Sequence, residues 1–362
     1  MQSLNEKTWA QLSAFGDDAP LCIKTTDSSI DGVRLIDDDE KSVPYVTRSD
    51  SNNGLARFVS PKNYEFGSDD GGCITVGLDT QTAFYQPHKF VTGQNIQVIT
   101  GESLNEDVAQ FMVPILRQQM TAKFNWGGNG ATLSRMKRLT VMLPVTDSGE
   151  PDYAYMAEYA QQKRNAMLAK YRAYVEARIA ELGEVAEIPA LDEKEWKPIF
   201  ISSMFELVRG RENNMAMLED GDTPLISAKA NNNGLKGFVH NPKKIIAGQC
   251  ITLNNDGDGG AGLAYYQPAN MALDSHVTAL VPLIDMSAFV MLFIAKCISG
   301  LHGFFGHGLS ISNPRAKRLR IMLPVTDSGE PDYKYMEQYS KNMMLRKYQQ
   351  YLTFLQQRSG AR

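Results

Sequence analysis

The chain has 362 residues, a formal net charge of −4 and 43% hydrophobic residues, which at roughly 150 residues per domain gives two or three domains with apolar content for a core in each. Its mild acidity argues against indiscriminate binding to polyanions but leaves room for a local basic face, because net charge governs solubility and steering rather than sites. The four cysteines, Cys22, Cys73, Cys250 and Cys297, never approach C-x-x-C spacing, so a redox or metal role is not expected of them.

The N-terminal stretch "MQSLNEKTWAQL" has no basic segment followed by an apolar one, and no signal peptide is expected. The run "DDDE" at 37–40 reads as a solvated acidic loop. Around it come short β-branched and aromatic runs, "VPYVT", "CITV", "AFY" and "IQVIT", separated by Asn-Gly, Gly-Gly and Asp-Gly pairs. That pattern predicts strands joined by tight turns. Ser103 and Glu106 form an S-x-x-E capping box ahead of a helix over "DVAQFMVPILRQQM". A strand, "RLTVMLP", follows, and then "SGEPDY" reads as a helix start, with Ser or Gly near the cap and proline and acids in the first turn. The helix is predicted over 151–182, where no Gly or Pro interrupts it. Met156, Tyr159, Lys163, Met167 and Tyr171 step at three or four residues and predict a single apolar stripe.

The second half repeats this order. "MLPVTDSGEPDY" at 142–153 returns letter for letter at 322–333. "VPYVTRSDSNNGLARFV" (43–59) matches "TPLISAKANNNGLKGFV" (223–239), "GCITV" matches "QCITL", "AFYQP" matches "AYYQP", and "EKTW" matches "EKEW". Cys73 and Cys250 fall at equivalent places and read as small buried thiols in strands. The most apolar run, "DMSAFVMLFIAKCISGLHGFF", is broken by Asp285 and Lys296 and reads as a core helix rather than a membrane span. A second long helix is predicted over 331–358, with Met336, Tyr339, Met343 and Tyr351 stepping along it. The fold class is therefore α+β: two pseudo-repeated mixed domains alternating with two long helices that would most simply pack on each other.

Catalytic signatures are missing. There is no G-x-G-x-x-G after a strand, no Walker A and no H-E-x-x-H. The histidines, His88, His240, His276, His302 and His307, lack ligand spacing, and "NNDGDGGAG" (254–262) lacks the acidic periodicity of a calcium loop and reads as a hairpin turn.

Charge placement is the positive signal. Arg135, Lys137 and Arg138 precede one strand without an acid, and Arg315, Lys317, Arg318 and Arg320 accompany its counterpart. These look like two equivalent anion-facing patches, the alternative being strand edges guarded by cations. Asn52, Asn53 and Arg57 in one loop, and Asn232, Asn233 and Lys236 in the other, can be turn formers. They can also be DNA contacts, since asparagine pairs with adenine edges and Arg or Lys with guanine or phosphate.

Together these residues resemble the specificity (S) subunits of restriction–modification systems, in particular the BcgI-like type IIB branch and more distantly the type I S subunits. The matching features are Trp196, Pro198 and Phe200, the NNG-x-x-x-F loop, the Y-Q-P block, and the basic strand running into "LPV-x-D-x-G-x-PD" before a long helix. The first opening segment, "EKTWAQLSAF", lacks the Pro and Phe of "EKEWKPIF", so the first domain is expected to begin differently. The resemblance implies target-recognition domains at 1–150 and 184–330, and antiparallel spacer helices at 151–183 and 331–362. Each domain would read one half of a bipartite site in double-stranded DNA. It implies further that Asp152, Tyr153, Tyr155, Met156 and Tyr159, with Asp332, Tyr333, Tyr335, Met336 and Tyr339, dock two copies of an adenine-methyltransferase or fused methyltransferase–nuclease subunit. The chain itself would be non-catalytic and cytoplasmic in a bacterium or archaeon, with S-adenosylmethionine and Mg²⁺ on its partners. Half-sites on one face of DNA lie about 34 Å apart, and a helix of about 30 residues spans about 45 Å. Other classes stay open: a stand-alone DNA nuclease or methyltransferase, a duplicated module binding carbohydrate or protein, and an orphan regulator of a restriction–modification system.

Overall fold

The computed structural model describes residues 2–15, 21–124, 130–214, 217–256, 260–306 and 308–360, the last three without side chains. The chain divides into two compact units, Met1–Tyr171 and Arg172–Arg362. The first runs β1 (Trp9–Ser13), β2 (Cys22–Thr25), β3 (Val43–Val46), β4 (Leu55–Val59), β5 (Cys73–Gly77), β6 (Ala83–Gln86), β7 (Val91–Thr92), β8 (Ile96–Thr100), α1 (Glu106–Lys123), α2 (Leu133–Met136), β9 (Thr140–Pro144) and the start of α3 (Tyr153–Leu182). The second, after the end of α3, runs β10 (Trp196–Phe200), α4 (Ile201–Met204), β11 (Phe205–Arg209), β12 (Asp220–Ile226), β13 (Leu235–Val239), β14 (Ile245–Ile246), β15 (Cys250–Asn254), β16 (Ala264–Gln267), β17 (Met271–Leu273), β18 (Val277–Pro282), α5 (Ala288–Ser299), α6 (Asn313–Lys317), β19 (Arg320–Pro324) and α7 (Tyr333–Gly360).

The sheet orders correspond strand for strand. β2-β8-β5-β6 matches β11-β18-β15-β16, and β4-β3-β7 matches β13-β12-β17, to which β14 is added at the edge. In both small sheets the central strand pairs antiparallel with the NNG-following strand and parallel with β7 or β17. The opening strands also agree, contrary to the sequence expectation: Trp9 lies opposite Pro144 and Trp196 opposite Pro324 in the same antiparallel register. Strand pairing is a backbone property, so it tolerates the missing Pro and Phe.

The core of each unit lies between the four-stranded sheet and one helix. In the first unit Val108, Met112 and Leu116 of α1 join Ile74, Val76 and Ile99. In the second, Val290, Met291 and Ile294 of α5 join Ile251, Leu253 and Leu280. Every residue of β5 and of β15 is buried, and burial pushes the Cys73 thiol up to about 12 and that of Cys250 to about 11. Among the described residues no helix is long and apolar enough to cross a membrane.

Two local expectations are corrected. The cap of α1 is Asn105, whose Oδ1 accepts the N–H groups of Asp107 and Val108, each at 3.0 Å; Ser103 stands two residues too early. The cap of α3 is Asp152, whose Oδ1 accepts the Tyr155 N–H at 3.0 Å. Ser148 and Gly149 instead form a turn closed by the Thr146 N–H on the Glu150 carbonyl, with Gly149 at φ 86°.

The single stripe on α3 is also not found. Met156 is fully buried, while Met167 is 72% exposed. The helix buries one face near its start and another in its last turns, so no continuous stripe is needed. Those last turns, within the second unit, run antiparallel to α7. Tyr174 meets Tyr348 edge-on at 6.4 Å, and beyond the helix end Ala186 exchanges two hydrogen bonds with the Asn342 amide, 3.0 and 2.8 Å.

Candidate nucleic-acid interface

The NNG loops are strained turns with exposed side chains. Asn52, Asn53, Asn232 and Asn233 all have φ of 50–55°, and Gly54 and Gly234 both have φ 76°. Such left-handed runs select Asn and Gly. A Cβ on Gly54 would come 2.8 Å from the Thr47 carbonyl oxygen, and on Gly234 2.9 Å from that of Ser227. The glutamine of each Y-Q-P block secures the loop: Gln86 Nε2 donates to the Asn53 carbonyl at 2.9 Å, and Gln267 Nε2 to that of Asn233 at 2.9 Å. The sequence shows both motifs but not that one holds the other, because the link is tertiary. The four asparagine side chains face solvent.

Arg57 and Lys236 are not equivalent. Register places Arg57 opposite Tyr45 and Gly237 opposite Leu225, so Lys236 matches Ala56 and points to the other face of its strand. Arg57 lies 3.7 Å from Asp37 of the acidic loop. Phe58 and Phe238 match, each about half exposed on an edge strand.

The basic segments run through the short helical turns α2 and α6 and the residues just after them, with Arg320 opening β19. Their first arginines act inward: Arg135 Nη1 donates to the Gly130 carbonyl at 3.0 Å, and Arg315 Nη1 donates to that of Ser310. Lys137, Arg138, Lys317 and Arg318 are exposed, although Arg318 Nε also donates to the Pro314 carbonyl at 3.2 Å. Arg320 is exposed with its guanidinium 4.2 Å from the Phe200 ring centre. No described acid pairs with Lys137, Arg138 or Lys317, so these cations are the ones placed to meet an anion.

The residues expected to dock a partner are largely packed inside their own units. Met156 and Met336 are fully buried, Tyr155 and Tyr335 nearly so. Asp152 Oδ2 takes the Lys7 ammonium at 2.6 Å, and Asp332 Oδ2 that of Lys194 at 2.8 Å. Each lysine also stands 5.1 Å from a ring centre, Tyr155 or Tyr335. The tyrosine hydroxyls donate to the Gln2 and Pro189 carbonyls. The lysine of "EKTW" and "EKEW" therefore locks the helix cap. The Lys7 hydrogen bond and the Tyr155 N–H hold the Asp152 carboxyl below its ordinary range. For Asp332 burial works the other way, and the Lys194 and Tyr335 contacts outweigh it. Tyr153, Tyr159, Tyr333 and Tyr339 are half-buried, with Tyr159 edge-on to Phe111 and Tyr339 to Phe293.

Of the histidines, His276 contacts Asp256 and His302 Nδ1 the Ala261 carbonyl at 2.6 Å; His307, like 257–259 of the glycine-rich turn, lies outside the described residues. Among the described residues no cluster of His, Cys, Asp and Glu could hold a metal ion.

Two segments, residues 31–171 and 193–352, match the family described as the type I restriction modification DNA specificity domain. The chain is 24% identical over 306 residues to the S.BcgI specificity subunit of a type II restriction enzyme from Heyndrickxia coagulans, covering 84% of this chain and 86% of that one. Among solved structures it is similar to the S subunit of a type I restriction-modification system from M. genitalium, with TM-score 0.49 and 13% identity over 100% of this chain and 94% of that one. It is also similar to the HsdS subunit from Thermoanaerobacter tengcongensis, with TM-score 0.31 and 14% identity over 95% and 93%.

Proposed function

The chain belongs to the family of type I restriction–modification DNA specificity domains, carries that domain twice, and is a restriction–modification specificity subunit; from this premise we propose that each repeat reads one half of a bipartite site. One observation carries the reading. The apparatus that fixes each long helix to its domain is the same in both repeats, from the Trp–Pro register to the Lys–Asp lock, while the side chains that follow the NNG turns, Ala56 and Arg57 against Lys236 and Gly237, and the cavities differ. A protein that bound one ligand twice would keep its binding loops alike. A scaffold that offers one partner two equal seats, and DNA two unlike heads, would keep the helix junctions instead.

In this reading Lys137, Arg138, Lys317 and Arg318 meet phosphates, the loops meet bases, and methyltransferase subunits, two per chain, dock on the junctions. The spacing between half-sites is set by the long helices. S-adenosylmethionine and Mg²⁺ belong to the partner subunits, and the complex works in the cytoplasm of a bacterium or archaeon. The test is selection of duplexes from a random library by the chain in complex with its methyltransferase subunit, before and after replacing the first recognition domain. The expected result is a split motif of which one half changes. Recovery of an uninterrupted motif, or a change in both halves, would overturn the proposal.

A further inference from the structure

Each repeat has a concavity beyond the C-terminal ends of its parallel strand pair, β3 with β7 or β12 with β17, the two sharing Thr47, Arg48 and Gly93 with their counterparts Ser227, Ala228 and Asp274 in their lining. Pairing fixes the correspondence. Val46 lies opposite Thr92 and Ile226 opposite Leu273, so Arg48 corresponds to Ala228 and Asn95 to His276. Val76 lies opposite Gln97 and Leu253 opposite Thr278, which makes Asp79 the counterpart of Asp256.

The carboxylate is kept and its companions are changed. In the first repeat Asp79 accepts the Asn95 amide at 3.1 Å and pairs with the Arg48 guanidinium. In the second, Asp256 Oδ1 meets His276 Nδ1 at 2.7 Å, and Lys229 and Lys236 line the same hollow. The hollow beside Ala228 has a volume of about 730 Å³, and the one beside Arg48, which Asp79 and Asn95 do not line, about 200 Å³. The Asp79 and Asp256 side chains are mostly shielded, at 24% and 33% exposure, whereas those of Arg48 and His276 reach solvent at 47% and 57%. An exposed ion pair adds little to stability, which does not explain a carboxylate retained at one position with exchanged partners on either side. Holding the outward side chain in a fixed plane does explain it: the Arg48 fork needs that orientation to donate two hydrogen bonds to one base, and with Nδ1–H donated to Asp256 the His276 ring turns an accepting Nε2 outward.

We propose that these clusters are the base-reading tips of the two repeats: Arg48, oriented by Asp79, takes a guanine in the first half-site, and the Asp256–His276 pair takes the amino group of a cytosine in the second. The assignment rests on the reading of the chain as a DNA specificity subunit. It makes Arg48, Asp256 and His276 the residues that distinguish the half-sites, with the exposed lysines and arginines of α2 and α6 serving both alike.

The test is library selection with the full chain in its methyltransferase complex, at one fixed salt concentration. Arg48→Ala is expected to lower the preference for guanine at one position of the first half-site by roughly 5- to 150-fold and to leave the second half-site unchanged. Arg48→Lys, which keeps the charge but loses the planar fork, is expected to do the same, and it decides the matter if the alanine variant does not fold. Asp256→Asn and His276→Ala are expected to change only the second half-site. If the variants bind all duplexes more weakly with base preferences intact, the tips touch phosphate and the inference falls. If the unaltered complex selects no split motif at all, the failure lies with the specificity-subunit reading itself.

Discussion

Replacing Asp152 separates two contributions of the lock at the head of α3. The carboxylate caps the helix through the Tyr155 N–H and takes the Lys7 ammonium at 2.6 Å, with side chains only 19% and 12% exposed. Asparagine is as good a cap as aspartate, so Asp152→Asn keeps the first contribution and loses the second. A hydrogen bond to a charged group is worth about 1.5–3 kcal/mol, which is the expected loss. Asp152→Ala removes the cap as well, adding about 1 kcal/mol, for a total near 2.5–4 kcal/mol. At about 2–4 °C per kcal/mol for a unit of this size, the alanine variant should melt roughly 5–15 °C lower.

The assay is thermal unfolding of the full chain, with amide exchange at Tyr155 and Met156 to localise the effect to the first unit. A cycle with Lys7→Ala then measures the coupling, expected at about 1–3 kcal/mol for contacting charged residues. A coupling below about 0.5 kcal/mol would refute the lock, and equal losses for the Asn and Ala variants would refute the cap.

Gly54→Ala and Gly234→Ala should each destabilise by about 1–3 kcal/mol, because alanine resists positive φ and its Cβ would meet a carbonyl oxygen; urea unfolding checks this. Joint replacement of Lys137 and Arg138 by alanine should weaken binding to all duplexes and make the salt slope shallower by about 1.8, at 0.9 per phosphate contact, as read from affinities across a salt series. Arg135→Ala should chiefly loosen its own loop, since that guanidinium holds a carbonyl. The Asp152 carboxyl is held below its ordinary value of 3.8, so its contribution to stability is present above that value and fades as pH falls through the lower, folded one. Denaturation curves of Asp152→Asn should therefore converge on those of the unaltered chain in strong acid.

Much of this architecture is legible in the sequence because it is written twice. Strands such as "CITV" and "IQVIT" announce themselves by β-branched runs between turn residues, and the absence of Gly and Pro delimits the long helices. Caps are less legible: Ser103 and Asn105 both suit the position, and only the backbone angle at 105 decides between them. The Lys7–Asp152 lock joins residues 145 positions apart, and no local pattern reports such a link. The reading clusters were missed for the same reason, since Arg48, Asp79 and Asn95 come from three separate loops. His276 has no metal-ligand spacing, so nothing local in the sequence marks it. The one-residue displacement of Lys236 from Arg57 was visible, because an ungapped match of the two NNG loops already puts them on opposite faces.

The identity of "MLPVTDSGEPDY" in both repeats asks for more than a helix start, and its residues divide by what they do. Pro144, Asp152 and Gly149 have internal tasks, as do their counterparts: strand register, cap and turn. Met142 and Met322 have none. They are 42% and 50% exposed on the two-stranded sheets, where many side chains would serve equally well. Identity at an exposed position in two otherwise diverged halves calls for a shared contact, and the methyltransferase subunit proposed above would supply one. Met142→Glu and Met322→Glu should each remove one partner copy from the complex and together remove both, as read by its mass in solution. The chain's own stability should change by no more than about 0.5 kcal/mol, as is usual for surface substitutions. Retention of both copies by the double variant would show that the seats lie elsewhere on the repeats, and the identity of these methionines would then need another cause.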